Sequence, residues 1–210
     1  GQQVNLFYRG EFVTRCKIAL PGEHNRRNWL AALVGAVTCG VDLETAVAAA
    51  SSFQGMRRRF EYRGYWNQTH WIDDYAHHPT AIRETLKTTR ATFPTSRVIA
   101  IVEPHQISRT EHLFSDYVES LTSADEVLLL PVLPARENAS LADCLRLSAR
   151  LVRKISESGG RAMLAANLDQ VLGRLDHAVR PEDVVITMGA GRTHTIHDEI
   201  HRRLQRNSAA

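Results

Sequence analysis

The sequence predicts an α/β fold: a mostly parallel, doubly wound sheet flanked by helices, preceded by a small α+β segment. Two observations lead to it. From about residue 70, apolar runs of strand length alternate with amphipathic runs of helix length. The run Val98-Ile-Ala-Ile-Val102 lacks polar alternation, as expected of a strand covered on both faces of a parallel sheet. Strand–helix units of this length connect parallel neighbours by right-handed crossovers.

Residues 4–20 alternate loosely, with Val4, Leu6 and Tyr8, a turn at Arg9-Gly10, then Phe12, Ile18 and Leu20, and predict a hairpin. Pro21-Gly22 leads into a helix from about Asn25 to Cys39, with Trp29, Ala32, Leu33 and Ala36 on one face and Gly40 as its stop. Asp42 caps a second helix carrying Leu43, Val47 and Ala50. Two strands and two helices make too small a core to stand alone. Residues 1–54 therefore read as the end of one domain and residues 55–210 as another. At this boundary Arg57 and Arg58 read as solvated. Arg59, which precedes a strand carrying Phe60 and Tyr62, reads as the inward-facing cation.

Trp71-Ile72 ends a strand, a polar loop from Asp73 to His78 follows, and Pro79 opens a helix with Ile82, Leu86 and Phe93 on its apolar side. After the strand Val98–Val102, Ser108-x-x-Glu111 reads as a capping box that places Arg109 in the first helical turn. Leu113, Phe114, Tyr117, Val118 and Leu121 form that helix's apolar face. Val127–Leu130 is a strand, and Ser140-x-x-Asp143 caps a helix with Leu141, Leu145, Val152 and Ile155 inward. Ala162–Ala165 is a further strand, and Asn167 caps a helix carrying Leu168, Val171, Leu172 and Leu175. Val184–Thr187 is the last strand and runs into Met188-Gly-Ala-Gly191. The closing helix holds Ile196, Ile200 and Leu204, with a frayed tail at 207–210.

Hydrophobic residues make up 43% of the 210 and charged residues 23%, an ordinary balance for a soluble globular chain. The net charge of +3 implies no nucleic-acid partner. Cys16, Cys39 and Cys144 form no CxxC pair and suit a reducing compartment. No apolar run reaches the ~18 residues that a membrane span needs, and the start shows no signal-peptide pattern. The expectation is a cytoplasmic location without membrane contact.

Three polar loops fall at carboxyl ends of strands: Asp73–Pro79, Pro104–Thr110 and Gly189–Arg192. In an open α/β sheet such loops face one crevice, where ligands bind. A carboxylate there can accept a ribose hydroxyl or hold Mg²⁺, and helix N-termini favour anions. The plainer alternative is that these Asp and His residues only cap a helix and face water. Gly189-Ala-Gly191 alone is a common turn. No G-x-x-x-x-G-K-[S/T] loop occurs, so the chain has no Walker cradle for a triphosphate. His194, His197 and His201 recur at i, i+3 and i+7 and read as a solvated helix face, and no metal set is expected.

The motifs Gly22-Glu-His-Asn-Arg-Arg-Asn28, Arg58-Arg-Phe60, Asp73-Asp-Tyr-Ala-His-His-Pro79, Pro104-His-Gln-Ile-Ser-Arg-Thr110 and Met188-Gly-Ala-Gly191 occur in an order that resembles the C-terminal part of a Mur ligase. The resemblance covers nearly the whole chain. It implies a complete Rossmann-like C-terminal domain, preceded by the last strands and helices of a central ATPase domain. The N-terminal domain and the rest of the central one would be missing partners. It further implies ATP-dependent amide ligation with Mg²⁺. The carboxylate of UDP-N-acetylmuramate would be activated as an acyl phosphate and attacked by the amino group of L-alanine. His24, Asn25 and Asn28 would contact the nucleotide, and Arg59 and Asp74 the ATP phosphates or ribose. Tyr75, His77, His105, Arg109 and Gly189 would shape the substrate pocket, with Arg109 on the amino acid's carboxylate and Arg59, Asp74 and His77 nearest the chemistry. Gln106 departs from the family pattern, which often has arginine there. Without a Walker loop, the chain alone is expected to be inactive.

Two other readings remain. One is the peptidoglycan-recycling member of the family, which attaches a tripeptide to the same sugar; Ser108-Arg-Thr110 favours alanine instead. The other is a non-catalytic binding module on the same fold.

Overall fold

The computed structural model describes residues 1–208. Two compact units divide the chain between Met56 and Arg57.

In the first unit, β1 (Gln2–Tyr8) pairs antiparallel with β2 (Glu11–Ile18). Arg9 and Gly10 between them take φ of 52° and 86°, the left-handed pair that a two-residue hairpin turn requires. Helix α1 (Glu23–Thr38) turns Trp29 and Leu33 onto Cys16 and Ile18 of β2, with Ala46 of α2 (Leu43–Ser52) completing the cluster. Ala32, expected on that face, is exposed, because the buried stripe follows 29, 33 and 36. The Asp42 carboxylate caps α2 by accepting the Thr45 N–H at 2.9 Å.

The second unit is a six-stranded sheet in the order β3-β4-β8-β5-β6-β7. Its strands are β3 (Glu61–Trp66), β4 (Thr69–Asp74), β5 (Val98–Glu103), β6 (Glu126–Leu129), β7 (Ala162–Leu164) and β8 (Val184–Gly189). All neighbours run parallel except the edge hairpin β3–β4. The sequence reading starts the sheet near residue 70; it begins at residue 61. Asn67 and Gln68 both adopt positive φ, 48° and 58°, to make that hairpin without the glycine that usually marks one.

Helices α3 (Pro79–Thr92), α5 (Phe114–Leu121) and α6 (Leu141–Glu157) cover one face of the sheet, packing on Ile72, Val98, Ala100, Val127, Val184 and Ile186. Helices α7 (Leu168–Ala178) and α8 (Thr195–Ser208) supply the other, on Trp71, Ile99, Ile101, Leu128 and Val185. Alternate residues of β5 thus enter opposite cores, which is why the strand shows no polar alternation. Ile82, Leu86, Leu121 and Ile155 are fully buried, each stabilising by about 1.5–3 kcal/mol relative to exposure.

Three helix expectations need correction. The buried side of α6 is Cys144, Leu147, Leu151 and Ile155, while Leu141 stands at the first turn and is 66% exposed. The helix expected after Ser108 is two: α4 (Ile107–His112) and α5, separated at Leu113. Nor is Ser108 a cap. Gln106, at φ 70°, precedes the helix, and Glu137 caps it from outside, accepting the Ile107 N–H at 2.5 Å and the Ser108 hydroxyl. In α8, Ile196 is buried and Ile200 packs against the core, while the Leu204 side chain and residues 209–210 lie outside the described residues. Among the described residues no helix is long and apolar enough to cross a membrane.

Candidate active site

The carboxyl ends of β4, β8 and β5 lie side by side: Asp74 pairs with Met188, and Glu103 with Gly189. The three polar loops therefore leave one edge of the sheet together, the place where open α/β sheets hold ligands.

Asp74 ties two of the approaching segments. One carboxylate oxygen accepts the Phe60 N–H at 2.8 Å and the other the Ala76 N–H at 2.7 Å. The Tyr75 N–H closes the same junction on the Arg58 carbonyl at 2.7 Å. Asp74 is 5% exposed, so its charge acts first on the backbone around it.

The guanidinium turned into this end of the sheet is that of Arg58, not Arg59. Arg58 takes φ 59°, places Nε 3.6 Å from Asp73 Oδ2, donates from Nη2 to the Gly189 carbonyl at 2.5 Å and lies 5.0 Å over the Tyr75 ring. Arg59 is exposed and passes 5.6 Å from the same ring. The left-handed turn at Arg58 reverses the order that its spacing before the strand implies.

Two further carboxylates, neither given a role from the sequence, end strands at this edge: Asp73, which faces Arg58, and Glu103. Asp73 is fully buried, and burial pushes its carboxyl up, against the Thr187 hydroxyl bond and the Arg58 charge. Burial likewise pushes Glu103 up, while the N–H groups of Arg192 and Gly191 and the Arg58 charge oppose it. Glycine at 189 serves this packing: a Cβ there would lie 3.0 Å from Glu103 Cβ and 3.2 Å from its carbonyl oxygen. A charged residue closing an apolar strand was the available sign for Glu103; Arg58 had none.

Beside this cation, His77 and His105 meet edge to face with 5.2 Å between ring centroids, and Tyr75 meets His77 at 5.2 Å and 85°. His77 Nδ1 is 2.9 Å from the Tyr75 carbonyl. A carbonyl only accepts, so Nδ1 holds the proton and Nε2 is left as an acceptor in the neutral ring. The Tyr117 hydroxyl fixes the loop by donating to the His77 carbonyl at 2.6 Å. Burial lowers the pKa of both imidazoles; the Arg109 charge lowers both further, ranking behind His77 in the case of His105. Arg109 is half-buried in the first turn of α4 and makes no ion pair among the described residues. The strand ends thus place Arg109, without an ion pair among the described residues, on the same edge as two imidazoles, a setting that suits a small zwitterion: carboxylate to Arg109, amino group to an imidazole nitrogen.

The remaining expected residues lie in the first unit, on α1. His24 is half-buried with Nδ1 buried and unpartnered, and Asn28, one turn on, is exposed. Asn25 is 8% exposed and its Nδ2 donates to the Pro21 carbonyl at 2.7 Å, which anchors the helix start. His197, expected on a solvated face, is fully buried.

A family model, Mur ligase, glutamate ligase domain, matches residues 58–191. The UDP-N-acetylmuramate–L-alanine ligase of Caldanaerobacter subterraneus subsp. tengcongensis is 36% identical over 192 residues, which are 91% of this chain and 41% of that protein. The crystal structure of a Psychrobacter arcticus murein peptide ligase superposes with a TM-score of 0.70 at 27% identity, over 91% of this chain and 39% of that one. The Thermotoga maritima UDP-N-acetylmuramate–alanine ligase shares the fold with a TM-score of 0.75 at 24% identity, over 94% and 41%. The chain thus spans about two-fifths of the length of these proteins.

Proposed function

Because the chain belongs to the Mur ligase family, we propose that it is the C-terminal part of an ATP-dependent ligase that joins L-alanine to UDP-N-acetylmuramate in peptidoglycan synthesis. The substrates are those in the names of its curated relatives. The observation that carries the role of this segment is the meeting of the His77 and His105 rings at 5.2 Å at the strand ends, with Arg109 in the first turn of the helix that follows His105.

In this reading Arg109 binds the alanine carboxylate and fixes the amino group toward the imidazoles. Neutral His77 accepts a hydrogen bond from that amino group through Nε2, the lone pair its Nδ1 bond to Tyr75 leaves free. Tyr75 packs against His77 and closes one side. Asp74 keeps the loop carrying both in place.

ATP, when bound, supplies the phosphoryl group that activates the sugar's carboxylate. The half-buried His24 ring and the exposed amide of Asn28 suit an adenine edge, which offers donors and acceptors together. Exposed Arg59 suits a phosphate oxygen. Among the described residues no three His, Cys, Asp or Glu side chains are placed to hold a metal ion, so no step is assigned to Mg²⁺ through this chain.

The alternative, tripeptide attachment, draws on the likeness to the murein peptide ligase structure. Purified full-length ligase containing this segment decides between them. Alanine-dependent ADP release is expected with UDP-N-acetylmuramate; release with the tripeptide and none with alanine would transfer the assignment.

A further inference from the structure

His197 lies on α8 and is fully buried, although its spacing with His194 and His201 reads as a solvated stripe. Its Nε2 is 2.7 Å from the Thr187 hydroxyl of β8, and that hydroxyl is 2.7 Å from Asp73 Oδ1 at the end of β4. Asp73 Oδ2 has no hydrogen-bond donor and faces Arg58 Nε at 3.6 Å. The four groups form a chain from the helix to the strand ends, and His197, Thr187 and Asp73 are each fully buried.

We infer that His197 is a positioning residue: its Nε2–H sets the direction of this chain and so keeps an Asp73 carboxylate, rather than a neutral carboxyl group, against Arg58. A threonine hydroxyl has one proton to give. Were the His197 proton on Nδ1, the bare Nε2 would draw the Thr187 proton, and Asp73 would be left buried with no donor on either oxygen. Nδ1 has no partner, so nothing holds a proton there. With the proton on Nε2, His197 donates to Thr187, Thr187 donates to Asp73, and the remaining charge of Asp73 faces Arg58. Arg58 in turn spans Asp73, the Gly189 carbonyl and the Tyr75 ring. The charges that also act on the chain are Arg63 and His194 on His197, and His194 and Glu61 on Asp73.

The inference rests on the site reading only in that Arg58 stands beside it, so the test uses neither ligand nor turnover. Nitrogen-15 NMR of the chain reads the His197 tautomer and the Arg58 Nε–H resonance at neutral pH. The expected results are an Nε2–H tautomer and an Arg58 Nε–H signal resolved from exposed arginines. Thr187→Val and His197→Phe should each move that signal toward the exposed group, and Thr187→Ser should restore it. An Nδ1–H tautomer in the parent chain overturns the inference, a result that needs no variant to fold. So does an Arg58 signal unmoved in folded Thr187→Val and His197→Phe.

Discussion

The Glu103 carboxylate fills the space that a side chain on residue 191 would need. A Cβ on Gly191 would overlap Oε2, with Glu103 Cδ at 2.8 Å and Leu133 Cδ2 at 3.0 Å. Glycine at 191, just after β8, is thus explained by close approach of the Glu103 side chain from β5. Gly191→Ala should displace Glu103 and destabilise the fold by about 1–3 kcal/mol, the usual cost of overpacking. Adding Glu103→Ala should recover part of the loss, because the two changes share one clash. Urea unfolding of the double-mutant cycle measures this; strict additivity would separate the two residues.

Asp74→Asn replaces one oxygen with an NH₂ group that must face the N–H of either Phe60 or Ala76. Losing one acceptor at a buried junction should cost about 1–3 kcal/mol. Amide exchange at Phe60 and Ala76 should quicken together. Unchanged exchange at both would show that the loop is held by other contacts.

Acid stability should report His197. Burial, then the charges of Arg63 and His194, pushes its pKa from 6.5 to about 3. The folded value lies below the unfolded one, so between those limits the unfolded chain binds one more proton. Stability therefore falls with pH across that window, by up to about 1.4 kcal/mol per pH unit from this residue. His197→Phe should be less stable at pH 8, yet lose less on going from pH 6.5 to 4.5. Equal slopes in the two proteins would place His197 in contact with solvent.

The chain alone should bind ATP more weakly than about 1 mM, since a few exposed contacts barely offset the freedom lost on association. It contains no Walker loop, so no ATP hydrolysis is expected. Isothermal titration checks the first point. Micromolar binding would show that the contacts assigned to His24 and Asn28 understate the nucleotide site.

The fold was legible because its signals are local. Uninterrupted Val and Ile mark β5 and β8, and Asp42, Ser140 and Asn167 cap their helices as their positions indicate. The strand-end loops of His77 and Arg109 were legible for the same reason, each following an apolar run. What escaped depends on contacts distant in sequence. Glu137 caps α4 from another loop. Asn67-Gln68 turns without glycine. Arg58 faces inward through a left-handed backbone, and His197 is buried with its Nε2 2.7 Å from the hydroxyl of Thr187, on a different element.

The central claim, that this segment receives the amino acid, is tested most directly by the alanine dependence of a full-length ligase carrying Arg109→Ala. Loss of a charge-assisted bond of about 1.5–3 kcal/mol should raise KM for alanine by about 10- to 100-fold. KM for ATP should stay within about twofold, because Arg109 makes no contact with nucleotide in this account. An alanine KM equal to that of the parent enzyme, or an equal rise for both substrates, would contradict the assignment.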